Sequence, residues 1–479
     1  MAISNTSLKF GTSGLRGLAV ELASGPAYDY TAAFLGTVAG RGEIRRGGTV
    51  CIGRDLRDSS PEIAALCMEA ITDSGFSPAD CGALPTPALS LYAMNLGAPA
   101  IMVTGSHIPA DRNGLKFYRA MGEIDKVDEQ AIVACCQQMS GNRPQGAGRA
   151  REIGPQTLES YRARYAQFLE PRALSGLKVG VYQHSSVARD LIIDILSDLG
   201  AETRPLGRSD HFVPVDTEAL APEDRERLAG WVRDGGFDAI VSTDGDADRP
   251  LIADELGRFV RGDLVGAITA YWLGADCIVV PVTANSALEA CSRFGKVIRT
   301  RVGSPYVIAG MNEAVQGGAA CVVGFEANGG VLLGTPVVRC GRALAALPTR
   351  DAMLPVLACL SVVTERGKPL SIAASEFGFR TALSDRLQDV RPKVSAAFLA
   401  SLGEGEGLGT LVQHCGPVTY CDRTDGVRLI MGSGSVVHYR PSGNAPELRC
   451  YVEAPDYDEA SRLLAGGIAL AREFASGEQ

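Results

Sequence analysis

The chain has no stretch built to hold it in a membrane. Its longest apolar run, Leu264 to Val282, is broken by Asp276 and is too weak to span a bilayer. The first residues, MAISNTSLKFGTSG, lack the basic end and apolar core of a secretory leader, so a cytoplasmic protein is expected. Thirteen cysteines are scattered with no CxxC and one adjacent pair, Cys135 and Cys136. That predicts reduced thiols, not a disulfide frame or a zinc site. Positive charge is not in excess either. The 46 Lys+Arg against 55 Asp+Glu leave a net charge of −9, which argues against nucleic acid or an anionic membrane as partner. The Walker pattern GxxxxGK[ST] is missing from the glycine-rich start, Phe10 to Gly17, so ATP is not expected by that route.

What is present is a 479-residue chain, 46% hydrophobic and 21% charged, long enough for three or four domains with their own cores. Glycine is over-represented at 56 residues, without a collagen-like period, which places the excess in turns and loops. Strands and helices alternate along most of the chain. Strands are predicted at 49–53, 99–104, 177–182, 237–242, 277–282 and 319–324. Helices are predicted at 61–74 (N-cap Ser60), 125–139, 156–169, 187–199, 222–234, 261–273, 286–293 (N-cap Asn285) and 305–314, with a long one at 342–362. This is the pattern of α/β units. After Gly367 a hairpin at 426–431 and 435–440, a strand at 447–453 and a helix at 457–474 suggest a smaller α+β domain. Boundaries near 145, 255 and 368 divide the chain into 1–145, 146–255, 256–368 and 369–479, with Ser140–Gly148 as the most linker-like segment.

Four loops carry chemistry-bearing residues. In Asp244-Gly-Asp246-Ala-Asp248-Arg249, three carboxylates at alternate positions after a strand supply hard oxygen ligands for magnesium or calcium. An EF-hand fails because Arg249 occupies the sixth position, where glycine is needed. A solvated acidic turn is the plainer alternative. Ser106 and His107, ten residues before Lys116, have the parts of a nucleophile, an orienter and a proton shuttle, yet such pairs also make ordinary turns. Arg440-Pro-Ser442-Gly443-Asn444, with Arg449 beyond, offers a phosphate cradle or a plain hairpin turn. Glu326 and Asn328 in GFEANGG supply a carboxylate and an amide for sugar hydroxyls.

In this order, FGTSGLRG, GRDLRDSSP, TGSHIPADRNGLK, DGDADR, GFEANGG and RPSGNAPELRCYVEA closely resemble the loops of the α-D-phosphohexomutases, the phosphomannomutase and phosphoglucomutase family. The resemblance spans essentially the whole chain. It implies three related α/β domains with mixed sheets plus a smaller C-terminal α+β domain, arranged around a central cleft. It implies that Ser106 carries a phosphoryl group and binds Mg2+ together with Asp244, Asp246 and Asp248, and that a hexose 1,6-bisphosphate is intermediate and activator. Lys116, Arg16 and His107 would assist proton transfer and charge stabilisation, with Arg249 at the reacting phosphate. Glu326 and Asn328 would read sugar hydroxyls, while Arg440, Ser442, Gly443, Asn444 and Arg449 would hold the other phosphate. The partner is then a phosphorylated hexose, mannose phosphate before glucose phosphate, and the protein a monomer or homodimer. The alternatives are a phosphosugar-binding homologue without turnover and a metal-dependent phosphatase. Three departures bear on substrate preference. Asn328 and Gly330 stand where the family's sugar loop has serine and histidine, Ala445 falls within the phosphate loop, and Gly105 and Ile108 replace alanine and asparagine.

Overall fold

The computed structural model describes residues 7–11, 14–138, 150–404, 409, 412–413, 415–442 and 446–477. The linker-like segment and the expected site residues Gly443 and Asn444 lie outside these. Three mixed sheets follow one another along the chain, and a fourth large sheet, fully antiparallel, closes it; a two-stranded antiparallel ribbon, Val337–Arg339 with Arg342–Leu344, lies in sequence between the last two strands of the third. This is the fold class expected.

The first three sheets share one device. In each, a buried central strand runs into a loop and the chain returns antiparallel beside it. Ala100–Val103 pairs back with Arg112–Arg119, Ala239–Thr243 with Pro250–Ala253, and Val322–Phe325 with Val331–Leu333. Each outgoing strand also lies parallel to a neighbour, Thr49–Arg54, Lys178–His184 and Cys277–Pro281 respectively. These strands are apolar and buried because helices cover them, so they read as continuous hydrophobic runs. The loops at their ends are where open α/β sheets place ligands.

One predicted element is wrong. The segment expected as a long helix from Arg342 to Val362 begins with two strands, Arg342–Leu344 and Leu347–Asp351, and only then forms the helix Met353–Arg366. Pro348 explains the difference. Inside a helix it would remove a hydrogen bond and strike the preceding turn, whereas it fits a strand at the sheet margin. The helix expected at 286–293 shrinks to Ala287–Ala290, with Asn285 Oδ1 accepting the Ala287 N–H at 3.1 Å. Ser60 is the first residue of the helix Ser60–Asp73, not its cap, and its hydroxyl donates instead to Asp55. The polar-looking strand Arg112–Arg119, which carries Lys116, was not anticipated.

Tyr161 and Tyr165 of the helix Gly154–Phe168 both donate to the buried carboxylate of Asp351 in the third sheet. Burial and this carboxylate hold both phenols well above their ordinary range, so they remain donors. Tyr165→Phe removes one donor from a buried charge and is expected to cost about 1–3 kcal/mol, read as a lower thermal unfolding midpoint.

Candidate active site

The serine loop is held from below by a buried arginine. Arg57 is 1% exposed and donates to four carbonyls of that loop and its exit: Ser106 at 3.1 Å, Ile108 at 2.6 Å, Pro109 at 2.7 Å and Arg112 at 2.9 Å. Asp55 balances its charge at 3.2 Å, and the Phe212 ring covers the guanidinium at 3.9 Å. Thr104 Oγ1 donates to Asp55 and accepts the Ser106 N–H, each at 2.8 Å. Held this way, Ser106 adopts φ +56°, a left-handed backbone that a non-glycine residue keeps only when its surroundings over-determine it. A Cβ at Gly105 would lie 2.7 Å from Arg57 Cζ, which accounts for glycine there.

So placed, Ser106 Oγ donates to Asp244 Oδ2 across the junction of the first two sheets. Asp244, Asp246 and Asp248 are all buried, and one ligand oxygen from each lies within 4.8 Å of the others. Their hydrogen bonds are lopsided. Lys116 Nζ donates to Oδ2 of Asp246 and of Asp248, at 2.6 Å each. Thr86 also takes Asp246 Oδ2, and Arg350 takes Asp248 Oδ2 at 2.8 Å. The Oδ1 atoms of Asp246 and Asp248 are buried and accept no hydrogen bond among the described residues. Two orphaned carboxylate oxygens beside a third carboxylate suit a hard divalent cation. Among the described residues this is the one such cluster of His, Cys, Asp or Glu.

The electrostatics are divided. Burial, then the charges of Asp246 and Asp248, push Asp244 well above the usual carboxylate range. Burial acts the same way on Asp248, but Arg350, Lys116 and Arg249 outweigh it and hold that group low. Burial, followed by Arg249 and Arg16, keeps His107 neutral. Its Nδ1 lies 3.0 Å from Arg249 Nη1 and 3.3 Å from Ser106 Oγ. A guanidinium only donates, so Nδ1 is the bare nitrogen. Arg16 is lowered to about 10 by burial and then by Arg249 and Arg350. Three arginines crowded together with buried Nε atoms of Arg16 and Arg249 unbonded make a place for an anion.

Glu326 and Asn328 follow the third central strand. Asn328 turns inward: its amide donates to Glu326 at 3.3 Å and its Oδ1 accepts the Gly330 N–H at 3.0 Å. Arg350 Nη1 reaches Glu326 Oε2 at 3.1 Å, joining this loop to the aspartate loop. On the fourth sheet, Arg440 pairs with Asp425 at 2.8 Å, and Ser442 N–H bonds the Glu447 carbonyl at 2.8 Å. Arg386, Arg449 and Arg440 stand directly opposite one another on three adjacent strands. Like charges so placed repel, and Glu447, 3.4 Å from Arg386 and 3.6 Å from Arg449, offsets only part of this. A cavity of about 640 Å³ opens between the third and fourth sheets, with Glu218, Arg261, Thr283, Ala327, His438 and Tyr451 among its lining. Ser106 and the three aspartates do not line it.

The family models for phosphoglucomutase/phosphomannomutase match the chain in order: alpha/beta/alpha domain I over 7–142, domain II over 159–257, domain III over 261–378 and the C-terminal domain over 389–466. The chain belongs to this family. A phosphomannomutase of Sinorhizobium fredii is 50% identical over 96% of this chain and 98% of its own. One of Salmonella muenchen is 40% identical over 96% and 95%. The crystal structure of a phosphoglucomutase/phosphomannomutase family protein from Burkholderia thailandensis shares the fold, with a TM-score of 0.74 at 20% identity over 97% of each chain.

Against the sequence reading, Ser106, His107, Lys116, Arg16, Arg249 and the three aspartates form one connected group, joined through Arg350 to Glu326 and Asn328. Arg440, Ser442 and Arg449 form a second group on the fourth sheet. Arg57, Arg350 and Arg386 were missed. The motif around Arg57 was in view, Arg350 was hidden in the misread helix, and Arg386 lies in a strand that was not anticipated. No helix among the described residues is long and apolar enough to cross a membrane. Asp246→Asn is expected to weaken Mn2+ binding to the full-length protein at least about tenfold, measured by electron paramagnetic resonance titration. Unchanged affinity would show that the cluster is not a cation site.

Proposed function

We propose that this member of the family is a phosphohexomutase that interconverts hexose 6-phosphate and hexose 1-phosphate, with mannose phosphate the preferred sugar. The observation that carries this is the hydroxyl of a conformationally strained Ser106 aimed into a buried three-aspartate loop whose free oxygens suit a cation. The names of the 50% and 40% identical relatives support mannose. In this reading Ser106 is phosphorylated in the working enzyme. Its Oγ–P bond breaks as a bond forms from phosphorus to the free hydroxyl of the bound sugar phosphate, and the hydroxyl proton passes to a base of the site. The resulting hexose 1,6-bisphosphate, which also serves as activator, turns end for end. The opposite sugar O–P bond then breaks as the Ser106 Oγ–P bond re-forms. The serine proton passes to the base, and the departing sugar oxygen takes up a proton from the site.

Asp244, Asp246, Asp248 and Ser106 would hold Mg2+, which supplies charge neutralisation at the transferring phosphoryl group when bound. Arg249 and Arg16 face the same group, and Lys116 and neutral His107 are the proton-bearing side chains beside it. Glu326 and Asn328 accept and donate to sugar hydroxyls. Arg440, Ser442, Gly443, Asn444 and Arg449 hold the phosphate that is not reacting, with Arg386 lengthening their row. Phosphoryl transfer asks for little beyond such positioning and charge.

Intact mass of the purified protein after treatment with hexose bisphosphate should show one added phosphoryl group, absent in Ser106→Ala. In a coupled assay with mannose or glucose 1-phosphate and Mg2+, that variant should lose more than about 10³-fold in turnover. Wild-type protein that interconverts no hexose phosphate would sink the proposal, and release of inorganic phosphate instead would mark a phosphatase.

A further inference from the structure

Strand Leu347–Asp351 sends three successive side chains to three other parts of the molecule. Thr349 donates to Glu123 of the first sheet at 2.8 Å. Asp351 accepts from Tyr161 and Tyr165 of the helix Gly154–Phe168. Alternation along a strand points Arg350 the other way. There Nη2 and Nε reach Asp248 Oδ2 at 2.8 and 3.1 Å, and Nη1 reaches Glu326 Oε2 at 3.1 Å. Its neighbours on both sides are anchored, so the backbone of Arg350 has little freedom to drift. The guanidinium is buried, and its fork spans two carboxylates from different loops.

Gly330 belongs to the same arrangement. A Cβ there would lie 2.6 Å from Arg350 Cδ and 2.8 Å from Cγ. Any side chain at position 330 would therefore push Arg350 off its path. Glycine at 330 and arginine at 350 are one steric unit.

We propose that Arg350 is a positioning residue that ties the sugar-reading carboxylate Glu326 to the cation-loop carboxylate Asp248, with Gly330 supplying the room it needs. The inference rests on the functional reading above for the role of Glu326. Its physical content is a shared donor. Arg350 binds Asp248 Oδ2 and leaves Oδ1, 3.6 Å from Arg249 Nε, without a hydrogen bond among the described residues, while adding positive charge beside the cation loop. The same group fixes Glu326 toward a sugar. Lysine carries the charge on a single nitrogen and lacks the planar fork whose separate N–H groups reach Asp248 and Glu326 here.

The test uses Arg350→Met, Arg350→Lys and Gly330→Ala in the full chain, with Mn2+ affinity by electron paramagnetic resonance and KM and kcat for mannose 1-phosphate. Arg350→Met removes positive charge beside the loop, so Mn2+ should bind roughly tenfold more tightly. Glu326 loses its charged partner and keeps only the Asn328 amide among the described residues, so KM should rise at least roughly tenfold. Arg350→Lys should bring Mn2+ affinity back toward wild type and leave KM raised. A residue that only stabilised the fold would instead lose Mn2+ affinity, kcat and thermal stability together, and that result overturns the proposal. So does Arg350→Met with wild-type Mn2+ affinity and KM. If Arg350→Met does not fold, Gly330→Ala decides: it keeps every charge, should raise KM at least roughly tenfold by displacing Arg350, and with an unchanged KM refutes the bridge. Wild-type protein with no hexose phosphate turnover defeats the functional reading alone, since the Mn2+ arm still tests the contact with Asp248.

Discussion

Three carboxylates buried on one short loop cannot coexist without cations, and much of this molecule is arranged around that constraint. In a medium of low polarity, both desolvation and mutual repulsion oppose the charged forms. The positive groups that answer this come from different places: Lys116 from the first sheet, Arg249 from the loop itself and Arg350 from the third sheet. None of these sheets satisfies the loop alone. The junction of three units is therefore set by charge as well as by apolar packing. Lys116 and Arg350 both take Oδ2 of Asp248, and its Oδ1 is left without a hydrogen bond among the described residues. The protein's own cations thus neutralise the loop without using all of its carboxylate oxygens.

A second buried arginine does comparable work on the serine side. Arg57 has one carboxylate partner, Asp55, and spends its other donors on the carbonyls around Ser106. A loop with that many fixed carbonyls cannot relax into ordinary backbone angles, which is how Ser106 is kept left-handed. The two positions where glycine departs from the family's loop pattern share one explanation. Gly105 leaves room for Arg57 and Gly330 leaves room for Arg350. Each lost side chain is matched by a guanidinium that holds a loop.

How much of this was legible in the sequence follows from where each signal is stored. Apolar strands running into polar loops are local patterns, so the strands before Ser106, Asp244 and Glu326 could be read directly. The aspartate triplet was equally plain, since alternate spacing brings its carboxylates together by itself. Lys116 was found by its place in a motif, although the strand that carries it was not, because Arg112–Arg119 alternates too weakly to announce itself. Arg350 was out of reach. Leu, Ala and Met around it read as helix, and the two prolines that opposed a single helix, Pro348 and Pro355, were passed over. Its function depends on contacts with residues 102 and 24 positions away, a separation at which no local pattern carries information.

The row of arginines on the fourth sheet completes the electrostatic picture. Arg386, Arg449 and Arg440 face one another across three strands, an arrangement that weakens an isolated sheet. Glu447 lies between two of them and Asp425 pairs with the third, so two carboxylates face three guanidiniums. A chain with a net charge of −9 has carboxylates to spare, so leaving this row under-neutralised reflects its placement, not a general shortage of acid. Arg16, Arg249 and Arg350 form the other concentration of positive charge, where Asp248 and Glu326 pair with two of them. Positive charge is concentrated at two separate places in an otherwise acidic molecule. In the function proposed above, a hexose monophosphate would occupy one of them and the bisphosphate would engage both. With the two places on different sheets, one beside the cation loop and one without it, the ends of such a ligand would be chemically unequal. That inequality would let one end react while the other is merely held.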